Sequence, residues 1–433
     1  MQGEPAWRTV GPALNVCARV PRGRQWRRMT DETREEKGID KMEIIRAGAE
    51  WKEEILKFAD QVFGEDVQPG GFAALIPDVY GDTAPCDQNH WLVLEDGRIQ
   101  ALLLMEPITY VCGREELRGV GVGTVSVAEE ARGKGYMQLL LGKVQEEMSR
   151  EGYAFAVLSG QRQRYGYWGY EPAGLAFWGQ IRPANIKHAL KDAYTAGLEK
   201  EITFAPLKEG GEEEKKAFVL FQKGCPHTFR REERFVLHLK AGRAKSFAVH
   251  RNGMFAGYLN VSSRRGEPAV TELELTDRKL LPAVLKAFFL DQAREGFSIR
   301  LPLYQKQQLA VVEEICDWYT LESDHQYRIA DMGKMLEFFM KAKQSACGLT
   351  DGSCAFRTQE RLYRCQVKQG CVKVTEQERE AVSKEEWERT FTASYSRLVR
   401  LLFGPLTVLA GPLPEAPEGW FPLPLYLPDA DAV

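Results

Sequence analysis

Arg132-Gly133-Lys134-Gly135 is the stretch best suited to chemistry. It follows an alternating β-branched run, Val122-Gly123-Thr124-Val125-Ser126-Val127, and precedes Tyr136-Met137-Gln138-Leu139-Leu140-Leu141-Gly142-Lys143-Val144, whose apolar residues recur at helical spacing. A strand, a loop with two glycines and two cations, then a helix start make an anion site built largely from backbone. The first amides of a helix have no intrahelical partner, and the dipole adds partial positive charge there. Glycine lets a diphosphate approach the main chain closely. The plain alternative is a loosened turn with solvated cations. A second candidate is Ser159–Glu171, which holds Tyr165, Tyr167, Trp168 and Tyr170. A phenol stays protonated at neutral pH and can donate a proton, although such a cluster can also simply pack.

The elements that must position these groups are legible as patterns. Glu50–Phe63 reads as a helix after the strand-like Met42–Arg46. Trp91–Leu94 and Ile99–Met105 flank Asp96-Gly97, a hairpin signal because both turn positions need positive φ. The helix from Tyr136 ends near Arg150-Glu151-Gly152, and the strand Tyr153–Leu158 follows.

The same order returns downstream. Phe247–His250 and Phe255–Val261 flank Asn252-Gly253; then come the strand Val270–Leu275, a helix Leu280–Ala293, Arg294-Glu295-Gly296 and the strand Phe297–Leu301. This is an internal duplication of domain size. Aligned on the Arg-Glu-Gly junctions, Asp277 falls opposite Gly133 and Lys279 opposite Gly135. An acid at the loop repels phosphate, so the second copy is expected to have lost the anion site.

From about residue 321 a helix Met332–Ala342, a meander with turns at Asp351-Gly352 and Gln369-Gly370, and an amphipathic helix Lys384–Phe403 are expected. The tail Trp420–Pro428 is too apolar to be left in solvent and is expected to dock. Residues 1–41 carry six arginines in the first 28 positions and no clear apolar period. They are expected to be a disordered leader or the product of an upstream start site, with an organellar transit segment the weaker reading.

Composition limits the class. At 433 residues two or three domains are expected. A net charge of −3 does not fit a nucleic-acid surface, and no run approaches a membrane span. Nine irregularly spaced cysteines point to a reducing, cytoplasmic setting; Cys86 and Cys112 read as small core residues. Six scattered histidines without a Cys-x-x-Cys pair argue against a metal site. A dinucleotide fold would need a third glycine where Gln138 stands.

The strand, loop, helix and Tyr/Gly-rich turn of residues 122–171 resemble the core of the GNAT acetyltransferases. Tyr165-Gly166-x-x-Gly169-Tyr170, Tyr327-x-Ile329-x-Asp331, Leu402-Phe403-Gly404 and the Phe-Pro-Leu-Pro tail narrow the resemblance to the enhanced intracellular survival (Eis) family. The resemblance implies an α+β chain of three parts: an active GNAT domain (42–180), a degenerate GNAT-like domain (181–320) and a sterol-carrier-protein-like domain (321–433). It implies acetyl-CoA as co-substrate and direct N-acetylation of a primary amine that is polyamine-like, aminoglycoside-like or lysine-type. It also implies a homo-oligomer, with hexamers in the family. Val125, Ser126 and Val127 correspond to the strand that pairs with the pantetheine arm. Arg132, Gly133, Lys134, Gly135, Tyr136, Met137 and Gln138 correspond to the diphosphate loop, although Met137 replaces a usual small residue. Gly160 and Gln161 follow the next strand. Tyr165 corresponds to the acid, and the carboxylate of Val433 to the base, with Asp431 an alternative acceptor. A ping-pong route through an acetyl-cysteine and a non-catalytic acyl-CoA or lipid sensor are the rival readings.

Overall fold

The computed structural model describes residues 42–67, 70–82, 89–224, 231, 235–264, 266–323 and 325–433. The leader and Cys86 lie outside the described residues. The first sheet begins with β1 (Met42–Arg46), followed by α1 (Lys52–Phe63), α2 (Gly71–Leu75) and α3 (Pro77–Tyr80). Strands β2 (His90–Glu95), β3 (Arg98–Cys112) and β4 (Glu115–Val127) then run as an antiparallel meander. Asp96 and Gly97 turn the first hairpin with φ of 48° and 72°, as that dipeptide predicts. Helix α4 (Tyr136–Glu151) crosses back and β5 (Phe155–Leu158) lies parallel to β4. The buried side of α4 carries Leu140, Leu141, Val144 and Met148, and Gly152 ends it at φ 70°. Burial of each such side chain contributes about 1.5–3 kcal/mol. A one-turn helix α5 (Arg162–Tyr165) and β6 (Glu171–Ala173) follow.

The second sheet repeats the plan with β7 (Ala176–Ile181), β8 (Ile202–Pro206), β9 (Lys245–Arg251), β10 (Met254–Arg264), β11 (Glu267–Leu275), β12 (Phe297–Pro302) and β13 (Trp318–Glu322). Helices α6 (Phe235–Leu239) and α7 (Leu281–Gln292) belong to it, α7 in the place of α4. Strand β14 (His325–Ile329) then returns to the first sheet, between β5 and β6. The orders are β1-β2-β3-β4-β5-β14-β6 and β8-β9-β10-β11-β12-β7-β13. The first sheet therefore receives β14 from beyond residue 320, and the second receives β7, which begins before the expected boundary at 181.

The remaining segment begins with α8 (Met332–Cys347), capped by Asp331 through the Lys334 N–H at 2.9 Å. A third sheet contains β15 (Gly352–Arg357), β16 (Arg361–Lys368), β17 (Cys371–Glu378) and β18 (Phe391–Thr392). Gln369-Gly370 turns a hairpin as expected, whereas Gly352 opens β15 and makes no hairpin with Asp351. The expected single helix Lys384–Phe403 is two, α9 (Lys384–Arg389) and α10 (Tyr395–Leu402). Between them Phe391 and Thr392 pair with Phe356 and Arg357 of β15, and Ser394 caps a new helix through the Arg397 N–H. Tyr327, Ile329 and Asp331 are structural: the Tyr327 ring is buried, the Ile329 N–H donates to the Tyr395 hydroxyl at 2.6 Å, and Asp331 is the cap.

The tail crosses all three sheets. Trp420 is fully buried and donates to Thr350 O at 3.1 Å. Leu425 O accepts from the Leu175 N–H, and Tyr426 O accepts from the Tyr110 hydroxyl at 2.9 Å.

Candidate active site

Strand β4 changes phase at a bulge opposite Leu102–Leu104. Thr124 sits there at φ 49°, an uncommon conformation for a β-branched residue. Its hydroxyl accepts from Tyr80 Oη at 2.7 Å, Tyr80 Oη lies 2.8 Å from His90 Nε2, and its carbonyl accepts from Ser126 Oγ at 3.0 Å. These contacts hold the bulge, which costs about 1–3 kcal/mol of backbone strain. Parallel pairing with β5 ends at Gly121 opposite Val157, while β4 continues to Val127, so the strands part. Ala128 N–H donates to Gln100 O on the β3 side. Alternation along the strand therefore aims the Val125 and Val127 amides into the gap. The Ser126 side chain faces away, tied to the bulge.

Beyond the gap lies the Arg132–Gly135 loop. Gly133 and Gly135 have φ of 85° and 87°, the left-handed region that glycine occupies readily. A Cβ on Gly133 would meet nothing within 4 Å, so the loop is open on the side an anion would approach. Arg132, Gly133, Lys134 and Gln138 are exposed. Lys134 Nζ lies 2.8 Å from Glu95 Oε2, and the Tyr136 hydroxyl donates to the other Glu95 oxygen. These two hydrogen bonds hold the Glu95 carboxyl below its ordinary range. Lys134 and Tyr136 thus clasp β2 to the start of α4. Met137 is partly buried against the α4 core.

Tyr165 stands on the β5 side. Its ring lies against Gly160, whose Cβ would be 2.7 Å from Tyr165 Cε2. Gly160 O accepts from Gln326 Nε2 of β14 at 2.6 Å, and Gln161 is the residue before α5. Burial pushes the Tyr165 phenol above its usual value of 10, against the nearby Arg164. On the opposite face of β4 lies Val433. A Cβ on Gly123 would fall 2.6 Å from the Val433 carboxyl carbon, and one on Gly121 would fall 2.7 Å from Val433 Cγ2. Val433 packs with the α1–α3 layer and Tyr165 with the α4 layer, so the two groups lie on opposite faces of the sheet.

Residues 43–173, ending with β6, match the family model described as an acetyltransferase (GNAT) domain. This chain carries a GNAT acetyltransferase domain. It is an acyltransferase. None of the curated proteins matches it in sequence. Three solved structures share the fold of the acyltransferase over most of both chains. A GCN5-related N-acetyltransferase from Anabaena variabilis has 15% identity, covers 90% of this chain and 98% of its own, and superposes with a TM-score of 0.59. One from Kribbella flavida has 16% identity, 85% and 92% coverage and a TM-score of 0.58. Eis1 from Mycobacterium abscessus has 12% identity, 89% and 96% coverage and a TM-score of 0.54.

In the acyltransferase Asp431 is engaged elsewhere. It accepts from Arg231 Nε at 2.8 Å and lies 3.0 Å from His238 Nε2, while His238 Nδ1 is 3.0 Å from Asp78. Burial opposes the charge on Asp431, but Arg231 and His238 outweigh it and hold the carboxyl below its ordinary range. This cluster pins the tail two residues before Val433.

Among the described residues the second repeat has no equivalent opening. Asp277 itself accepts from the Lys279 N–H at 3.0 Å, so a carboxylate already meets the helix start. Where β11 and β12 part, only about 20 Å³ remains among residues that include Glu274, Arg300, Gln305 and Tyr426.

Sequence reasoning missed two features. Gly119, Gly121 and Gly123 alternate along β4 and open a trough on one face, filled by the Phe155 ring and Val433. Glycine at every second strand position signals such close approach. Glu106, opposite Gly121, was also missed. Burial and the nearby Asp78 push its carboxyl up to about 7, against a hydrogen bond from Asn89 at 2.9 Å.

Proposed function

We propose that the protein transfers acetyl from acetyl-CoA directly to a primary amine of a small polyamine-like, aminoglycoside-like or lysine-type substrate, as an Eis-like enzyme. The observation that carries this reading is the Val433 carboxylate lying against Gly123, where β4 leaves β5. Gly133 supplies open backbone and Gly135 the left-handed turn into the helix that a diphosphate site needs, with the exposed Gln138 side chain beside it, so the loop fits the co-substrate. Acetyl-CoA, when bound, supplies an activated thioester. The Val125 and Val127 amides polarise its carbonyl. Tyr165 donates a proton to the departing sulfur, and burial keeps its phenol protonated across the working pH range. The Val433 carboxylate takes the proton of the attacking ammonium. Val433, rather than Asp431, fills that role because Arg231 and His238 already claim Asp431. Acid and base on opposite faces suit direct transfer, with the thiolate leaving on one side and the amine arriving on the other.

The test is free-thiol release from acetyl-CoA across an amine panel, with Val433 deleted or extended in parallel. Release by the wild type and its loss in both variants support the reading. Acetyl-CoA binding without release for any amine favours the sensor.

A further inference from the structure

Outside that site, α8 presents Lys343 and Cys347, one helical turn apart, to the same cavity of about 170 Å³. Residues four apart on a helix share a face. Tyr304, Leu423 and Leu425 give the cavity apolar walls, and exposed Lys306 stands at its margin. Lys343 Nζ donates to Trp420 O at 3.1 Å and to Pro422 O at 2.9 Å. This one side chain therefore ties the apolar stretch of the tail to α8.

We propose that Lys343 is a modification site, acetylated by acetyl-CoA through Cys347, and that the modification loosens the tail carrying Val433. The proposal rests on acetyl-CoA being the enzyme's co-substrate, which brings an acetyl thioester to this chain. The cavity has room for an acetyl group and the end of a thioester arm, and Lys306 attracts the anionic donor. The Cys347 sulfur bonds to the acetyl carbon as the thiol proton passes to solvent, the thioester C–S bond breaks, and CoA leaves as a thiolate. The neutral Lys343 amine then attacks the S-acetyl carbon. The new C–S bond breaks, Cys347 is regenerated, and the amine's proton passes to solvent. No oxidant or reductant is needed.

Burial, opposed by the neighbouring Cys347 and helped by Lys306, brings the Lys343 ammonium down to about 8. At pH 8 about half of it is a neutral nucleophile, against under about 1% for an ordinary lysine. An acetylated lysine keeps one N–H, so it cannot hold both Trp420 O and Pro422 O.

The experiment incubates the full-length protein with acetyl-CoA at pH 8 without amine substrate and follows acetyl-peptides by mass spectrometry. Lys343 is expected to react at least ten-fold faster than Lys334 and Lys341 of the same helix. Cys347→Ser should slow that reaction several-fold. A Val433-deleted chain should still be modified, so failure of the catalytic reading is visible separately. Modified wild type should lose amine acetylation several-fold, whereas Lys343→Arg, which keeps the charge and the donors, should stay active and resist the loss. Equal rates at Lys334, Lys341 and Lys343, an unchanged rate in Cys347→Ser, or full activity after complete Lys343 acetylation would each overturn the proposal.

Discussion

Gly123→Ala is the sharpest probe of the active site. The new Cβ would lie 2.6 Å from the Val433 carboxyl carbon and 2.9 Å from its oxygen. Ordinary contact needs 3.4–4 Å, so the terminal carboxylate must retreat by about 1 Å. Misplacing a catalytic group by that distance costs about 100-fold in rate, or about 2.7 kcal/mol. The expected result is a kcat near one-hundredth of wild type, measured by thiol release. Acetyl-CoA affinity should stay within about three-fold, because the amides that face the gap remain. Gly121→Ala is the control. Its Cβ would meet Val433 Cγ2 at 2.7 Å and Ile108 Cδ1 at 3.1 Å, side-chain atoms rather than the carboxyl carbon, so a smaller loss than in Gly123→Ala is expected. A Gly123→Ala enzyme with wild-type kcat and a folded tail would refute the assignment of the base.

Tyr165→Phe should lower kcat by about 100-fold at unchanged acetyl-CoA affinity, read by single-turnover kinetics. Arg231→Ala removes one partner of a buried ion pair and should cost about 3–5 kcal/mol in denaturant unfolding. Burial works against a charged His238, but Asp431 and Asp78 outweigh it and raise the ring to about 9. Its folded value lies above the unfolded one of about 6.5, so its contribution to stability is full below pH 6.5 and lost as pH rises through 9. Melting temperature should fall over that window in the wild type and less steeply in His238→Asn. Glu106 becomes anionic as pH rises through about 7 and lies on the face that holds Val433. KM for a dication should therefore fall above pH 7, and Glu106→Gln should remove that trend.

What could be read in the chain was local. The loop 132–135, the helix behind it and the turns at Asp96-Gly97 and Asn252-Gly253 depend on neighbouring residues, and each formed where its pattern placed it. Long-range pairing left no such mark. Nothing near residue 325 announces that β14 inserts beside β5, and Arg231 and Asp431 are 200 positions apart. The helix expected over 384–403 failed because two short amphipathic helices carry a compatible apolar spacing across the intervening strand, although Ser394 was a visible cap. The alternating glycines of β4 were visible too, but only the docked tail shows what they receive.

The strand exchange between the sheets has a consequence for how this enzyme is assembled. Between β5 and β6 there is a slot that residues 325–329 fill. A chain growing from its N-terminus has made all of 43–173, the whole GNAT match, long before that strand exists. Until then the inner edges of β5 and β6 face each other without a ladder, an aggregation hazard. The first sheet can therefore be completed only after the second repeat has been made. A fragment cut after residue 173 would hold the Arg132–Gly135 loop and Tyr165 on a sheet with a missing stave. Doubling here gave two interlocked sheets, each holding a strand that lies outside its own repeat.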